Sequence, residues 1–129
     1  MKKYLIIAAG VIFVAGAAYF IFKFYGKADA VPAPAVSPKT WTIEYRENLF
    51  VPTEVKIKKG DTVIWINNIS EPVWPASAFH PTHNVYSGFD AFRGIKNGES
   101  YSFTFDKIGS WKYHDHLNPS VTGVVVVEE

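Results

Sequence analysis

Apolar and polar residues alternate along most of the chain after residue 40, with the two-residue period of a β-strand. The alternation is clearest in residues 41–45, 55–58, 62–67, 101–105 and 111–114. Residues 121–127 are almost continuously β-branched, which predicts a strand that is buried on both faces or that closes the core. Several strands joined by Gly and Pro turns predict an all-β sandwich, a single domain over residues 40–129.

Residues 4–22 carry no charge and are long enough to cross a bilayer. At about 1.5 Å per residue this run spans roughly 28 Å, close to the thickness of the hydrocarbon core. Lys2 and Lys3 precede it, as expected for a cytoplasmic N-terminus. We therefore predict that residues 1–26 form one N-terminal transmembrane helix. A cleaved signal peptide is the alternative, because Ala28-Asp29-Ala30 has the form of a cleavage site.

Residues 27–39 form the predicted linker. Three prolines among alanines favour an extended, semi-rigid segment that holds the domain away from the membrane. Both interpretations of the N-terminus put the domain outside the cytoplasm, in the periplasm or at the cell surface. The protein would be secreted if the leader were cleaved, and any protein partner in the membrane or beyond it is unidentified.

The charge distribution argues against nucleic acid as a partner. Residues 1–39 hold five lysines and one acid, which leaves eight basic and eleven acidic residues in the predicted domain. A mildly acidic domain lacks the basic surface that phosphate backbones require.

Residues 68–94 break the alternation. They contain three prolines, two histidines and several aromatic residues. A loop longer than about 15 residues is uncommon in so small a domain and is more often functional than not.

The four histidines are the least random feature of the chain, because they fall into two tight pairs. His80 and His83 lie in the long loop, and His114 and His116 flank Asp115 at the end of a predicted strand. Neutral imidazole is the commonest protein ligand for copper and zinc. In an extended strand, His114 and His116 point to one face and Asp115 to the other. We predict a metal site from these four histidines, with Asp115 as a further ligand, an acceptor that orients a histidine, or only a turn former.

Cysteine is absent and the only methionine is Met1, so thiolate and thioether ligands are unavailable. Catalytic motifs are few: the chain has no phosphate-binding glycine loop and no nucleophile elbow. A serine hydrolase can be assembled on paper from Ser77, His83 and Asp90, but no oxyanion-hole signature supports it. We predict that the protein is not an enzyme, although a small metal-dependent redox activity stays open.

The order of motifs across residues 40–129 resembles the cupredoxin family, in the style of plastocyanin, amicyanin and the EfeO-type cupredoxin-like domains. The resemblance rests on Phe50-Val51-Pro52, Lys59-Gly60-Asp61, Trp65-Ile66-Asn67, Gly109-Ser110-Trp111-Lys112-Tyr113-His114 and Gly123-Val124-Val125-Val126-Val127. It implies a Greek-key β-sandwich and a copper site at one end of it.

The resemblance also implies a ligand set that this chain only partly retains. His83, in His83-Asn84-Val85, falls at the first ligand position of the family. Asp115 stands in place of the cysteine, Asn118 in place of the second histidine and Val121 in place of the methionine. Three of the four blue-copper ligands are thus replaced.

Three functions follow from these observations. The first is a membrane-tethered, copper-binding protein with a histidine site, for metal handling or slow redox chemistry, in which Cu(II) is favoured and Zn(II) is possible. The second is a metal-free interaction module at the cell surface. The third is an enzyme that uses the metal. Blue-copper electron transfer rests on family analogy alone, and fold does not establish function. Convergence of the two histidine pairs would favour the first.

Overall fold

The computed structural model describes residues 37–129, so the predictions for residues 1–26 and for the linker up to residue 36 lie outside the described part. The described residues form eight strands. They are β1 (Thr40–Arg46), β2 (Leu49–Val51), β3 (Glu54–Lys58), β4 (Thr62–Asn67), β5 (Pro75–Ser77), β6 (Ser100–Thr104), β7 (Gly109–Asp115) and β8 (Asn118–Glu128). Among residues 37–129 no helix is long and apolar enough to cross a membrane.

The strands make two four-stranded sheets, in the orders β2-β1-β4-β6 and β3-β8-β7-β5. Within the first sheet β1 runs parallel to β4, while β2 and β6 are antiparallel to their neighbours. In the second, β3 runs parallel to β8, and β7 is antiparallel to both β8 and β5. The predicted all-β sandwich is confirmed. The short strands β2 and β5 were not predicted, because three residues carry too little alternation to be recognised.

The core between the sheets is built around aromatic residues. Trp65 of β4 is fully buried, and its ring lies 5.0 Å from that of Phe89 and 5.4 Å from that of Tyr113. Aromatic side chains supply much of the apolar area that a domain of this size can bury. Tyr113 belongs to β7, so this packing fixes the strand that carries two of the predicted ligands.

Strand β8 contains the β-branched run of residues 121–127, which is not buried on both faces. Its valines alternate between buried and half-buried positions instead of being covered on both faces. Val125 and Val127 point into the core, whereas Val124 and Val126 lie on the outer face of the sheet. Of the two interpretations of this β-branched run, the one in which it closes the core is correct.

The long segment of residues 68–94 supplies the edge strand β5 of the second sheet and places Tyr86 and Phe89 in the core. Its buried strand β5 pairs with β7, and beyond it the Ala78 amide donates to the Lys112 carbonyl at 2.9 Å. The chain then turns back, with the Val85 amide donating to the Ala78 carbonyl at 2.9 Å. The turn between Ala78 and Val85 carries His80 and His83. It is thereby held over the end of β7.

Candidate metal centre

All four histidines converge at this end of the sandwich. His114 lies on the outer face of β7 and is only 4 % exposed, and His116 follows in the turn to β8. His80 and His83 approach from the long loop. The distances between ring centroids run from 4.7 Å, for His80 and His116, to 6.5 Å, for His114 and His116. Two sequence pairs, more than thirty residues apart, thus form one cluster.

Three of these histidines have the spacing of a ligand set. His80, His114 and His116 each offer one nitrogen, and the three nitrogens lie within 4.8 Å of one another. Metal–nitrogen bonds of about 2.0–2.1 Å place opposite ligands about 4 Å apart. Small rotations of the side chains would therefore bring the three nitrogens onto one ion.

His83 occupies a different place, because both of its ring nitrogens already have partners. Its Nδ1 lies 2.6 Å from Oδ2 of Asp90, and its Nε2 lies 2.9 Å from Nδ1 of His116. A carboxylate accepts, so Nδ1 of His83 is the donor, and in a neutral His83 ring Nε2 then accepts from His116. His116 is then protonated on Nδ1, which leaves its Nε2 with the free lone pair that a metal needs.

Asp90 is fixed in turn by the elements around it. Its Oδ1 accepts hydrogen bonds from Nε1 of Trp74 at 2.6 Å and from the Phe92 amide at 2.7 Å. Burial by itself raises the pKa of Asp90, but the hydrogen bonds from Trp74, Phe92 and His83 outweigh it and hold the pKa below its ordinary value. Asp90 is therefore an ionised acceptor at neutral pH. The Trp74 ring also packs against His116 at 4.4 Å.

The environment of the cluster lowers the pKa of two of its histidines, His114 and His116. Burial and the neighbouring rings of His83, His80 and His116 lower the pKa of His114 to about 4. Burial, followed by the proximity of His83 and His80, also lowers the pKa of His116. Neutral imidazoles are the form that binds metal, so protons compete weakly for these two ligands at pH 7.

One buried atom of the cluster tests directly whether a metal fits. Nε2 of His114 is buried and has no hydrogen-bond partner. Buried polar atoms of this kind are rare in folded proteins, since each costs free energy if left unpaired. A metal ion bound through Nε2 of His114 would satisfy this nitrogen, and the all-imidazole donor set suits copper or zinc.

The fifth predicted ligand, Asp115, points away from the cluster. It is 2 % exposed and faces the sandwich interior, where its carboxylate accepts from the amides of Trp74 and Leu117 at 2.9 and 3.0 Å. The Tyr45 hydroxyl donates to its other oxygen at 3.4 Å. His114 and Asp115 thus point to opposite faces of β7, as alternation of side chains predicts, although the β7–β8 register is irregular between them. Of the roles considered for Asp115, the geometry favours that of a turn former.

Of the possible hydrolase triad of Ser77, His83 and Asp90, the structure brings only His83 and Asp90 together. His83 and Asp90 are in contact, but the Ser77 hydroxyl accepts from the Tyr86 amide and donates to the Ala78 carbonyl. Nε2 of His83 faces His116 instead of a hydroxyl. His83 is therefore not placed to accept a proton from the Ser77 hydroxyl.

Asp90 and Trp74 were not predicted as parts of a metal site. The sequence indicates Asp90 only as a member of a possible hydrolase triad. The sequence around a lone aspartate in an irregular loop does not show which residue it will contact. The contact between Asp90 and His83 depends on the path of the loop.

Comparison with known proteins agrees with this architecture. No protein-family profile matches the chain. Amicyanin of Paracoccus versutus is 33 % identical over 105 residues, which cover 76 % of this chain and 68 % of amicyanin. Plastocyanin of Scenedesmus fuscus is 33 % identical over 88 residues, covering 62 % of this chain and 87 % of plastocyanin. A solved structure of an amicyanin variant in its Cu(I) form superimposes with a TM-score of 0.59 and 26 % identity, covering 69 % of this chain and 82 % of that one.

These likenesses define the class of protein: the chain belongs to the cupredoxin family. Within that family it is a member without cysteine, in which a cluster of four histidines stands at the end of the sandwich.

Proposed function

We propose that this protein binds copper at the three-histidine group of His80, His114 and His116. The observation that carries the proposal is the convergence of one nitrogen from each histidine within 4.8 Å, in a group whose member His114 has a buried, unpaired Nε2. His83 stands behind the group and, with Asp90, orients His116. Such a carboxylate–histidine support is a regular feature of metal sites in proteins.

The donor set favours Cu(II) over Cu(I). Imidazole is a ligand of intermediate softness, whereas thiolate and thioether favour Cu(I). The chain has no cysteine, and its only methionine lies at position 1. Zn(II) fits the same three nitrogens, so titration with both metals is needed to identify the one that binds.

Metal handling or slow redox chemistry suits this site better than rapid electron transfer. The family relationship supports copper, but Asp115 stands at the position of the thiolate ligand in the resemblance and points into the sandwich. Bound copper would supply a Lewis acid and a one-electron couple. The chain's own residues would hold the ion, keep two of its ligands unprotonated and shield His114 from water.

A location outside the cytoplasm is the second part of the proposal. The uncharged run of residues 4–22, preceded by two lysines, supports an anchor with the domain on the far side of the membrane. Fractionation of cells that express the full-length protein tests this part. Mass determination of the mature protein separates an anchor from a leader removed after Ala30.

The copper site is tested by titrating the full-length protein in detergent with Cu(II), Cu(I) and Zn(II). We expect one equivalent of Cu(II) and an electron paramagnetic resonance spectrum with a wide hyperfine splitting and no intense thiolate absorption. His80→Ala, His114→Ala and His116→Ala should each abolish tight binding, while Thr82→Ala, an exposed neighbour in the same loop, should bind as the parent does. If no metal binds stoichiometrically, the site proposal fails and the metal-free interaction module becomes the better explanation.

A further inference from the structure

A cleft adjoins the histidine cluster on the outer face of the second sheet. Its volume is about 350 Å³, within the range of small-molecule sites. Two of the three proposed ligands line it, together with apolar and polar residues from the loop, β7 and β8. The lining residues that matter are Phe79, His80, Lys112, His114, Pro119 and Thr122.

We propose that this cleft binds a small organic carboxylate, with the carboxylate directed at the metal and the apolar tail against the cleft wall. The inference rests on the proposed function, since the metal supplies part of the attraction. It adds a ligand site and a ligand class to that function.

The first argument is the number of protein ligands. Asp90 and His116 take both ring nitrogens of His83, so three histidine nitrogens remain for the ion. Copper and zinc take four or more ligands, so one position is left for water or another small ligand. The Trp74 ring and His83 close one side of the cluster, whereas His80 and His114 border the cleft. A ligand that fills the open position of a bound ion would therefore enter from the cleft.

The second argument is charge. A divalent ion held by three neutral imidazoles keeps its full positive charge, because no ligand neutralises it. Lys112 adds a cation at the cleft wall and forms no ion pair within residues 37–129. No carboxylate lines the cleft. An anion is thus favoured over a neutral or cationic ligand.

The third argument is the apolar wall, which favours a carboxylate with a hydrocarbon tail. Phe79 is 71 % exposed and lines the cleft together with Pro119 and Val124. Burying two more methylene groups against this wall should strengthen binding about tenfold. Butyrate should therefore bind more tightly than acetate.

The experiment titrates the copper-loaded, full-length protein with acetate, butyrate and benzoate. Shifts in the copper hyperfine splitting and in the visible ligand-field absorption report ligation. We expect saturable shifts, with butyrate and benzoate at least about tenfold tighter than acetate. Shifts that do not saturate, or that are equal for all three acids, would overturn the proposal.

Two variant pairs locate the site. Thr122→Phe on β8 fills the cleft and should abolish the preference for long acids. Ser110→Phe, at an exposed position of the neighbouring strand β7, should leave that preference unchanged. Lys112→Gln should weaken the binding of all three acids at least threefold. Lys56→Gln, which changes a lysine on β3 outside the cleft, should leave their binding unchanged.

Copper stoichiometry separates the two proposals. If Lys112→Gln and Thr122→Phe bind one copper as the parent does and acid binding is unchanged, the cleft proposal fails while the proposed function stands. If the parent binds no copper, both fail.

Discussion

At the scale of single residues, two aspartates on either side of Trp74 have separate roles. Asp90 accepts from the Trp74 indole and holds His83, whereas Asp115 accepts from the Trp74 amide and faces Tyr45 in the interior. Both carboxylates thus fix the same tryptophan, which packs on His116. Only Asp90 is connected by hydrogen bonds to the metal-binding group.

Replacing Asp90 by Asn should therefore weaken copper binding without removing it. The amide is a poorer acceptor than the carboxylate, so His83 is held less firmly and His116 loses its fixed tautomer. Losses of this kind are about 10–100-fold in affinity. A competition titration against a chelator of known affinity measures the change. Glu99→Gln, at a half-buried acid that pairs with Arg93 away from the cluster, should leave the affinity unchanged. An unchanged affinity in Asp90→Asn would contradict the role given to Asp90.

Asp61 predicts how the domain responds to acid. It is 1 % exposed and accepts from the amides of Lys39 and Lys58 and from the indole of Trp41, at 2.7–3.0 Å. Burial alone raises the pKa of Asp61, but these hydrogen bonds and the nearby Lys39 charge outweigh it and lower the pKa below its ordinary value of 3.8. A carboxyl with a depressed pKa stabilises the fold above its unfolded pKa, and this stability is lost as the pH falls through the folded value.

Asp61→Asn should therefore lower the free energy of unfolding by about 1–3 kcal/mol at pH 7, since the amide leaves part of the buried donor set unpaired. The difference from the parent should shrink as the pH falls below 3.8, where the carboxyl of the unfolded parent takes up a proton, and should level off below the lower pKa of the folded state. Urea unfolding of the metal-free protein from pH 7 to pH 2.5 measures both quantities. A difference that stays constant across this range would contradict the explanation.

At the scale of elements, the β7–β8 ladder carries the site. Strand β8 pairs with β7 along most of its length, and an irregularity between His114 and Asp115 marks the point where the chain turns. Gly123 lies opposite Tyr113 in this ladder, and a Cβ at that position would overlap the Tyr113 ring. The absence of a side chain on β8 thus makes room for a core ring of β7.

Gly123→Ala should destabilise the domain by about 1–3 kcal/mol, because overpacking forces Tyr113 or the strand to move. The same variant should loosen His114, which follows Tyr113 directly, and so weaken copper binding as well. Thr122→Ala, on the neighbouring exposed position, should change the stability little. Chemical denaturation and copper titration test the two effects, and a Gly123→Ala protein as stable as the parent would show that Tyr113 can move at no cost.

At the scale of the whole molecule, the proposed ligands join parts of the fold that are separate in the sequence. His80 belongs to the loop after β5, while His114 and His116 lie at the end of β7. An ion that binds all three ties the loop to the second sheet in the folded state only. Binding must then stabilise the native domain by mass action.

Copper should therefore raise the melting temperature. Free copper at 100 times the dissociation constant adds about 2.7 kcal/mol, which corresponds to about 10–20 °C for a domain of this size. Addition of a chelator should reverse the shift. His80→Ala provides the control, because His80 is exposed and its removal should change the metal-free melting temperature little while reducing the copper-dependent shift. A shift that persists in this variant would place the copper elsewhere.

The sequence by itself determined the longer strands, the sandwich and the gathering of four histidines into two pairs. Alternation in residues 41–45 and 62–67 reports burial directly, because side chains of a strand point to opposite faces. The same rule placed His114 and Asp115 on different faces of β7, and the structure agrees.

Only the tertiary structure decided which histidines could bind the metal and which one contacts another side chain. Whether His83 faces an ion or another side chain depends on where the long loop lays Asp90, and that path is set by its contacts with β7 and Trp74. The cleft beside His80 and His114 likewise exists only because the loop covers part of the outer face of the second sheet. Periodic burial along a strand is a local property that the sequence displays. The meeting of irregular loop residues with distant strands depends on contacts far apart in the chain, which no local pattern records.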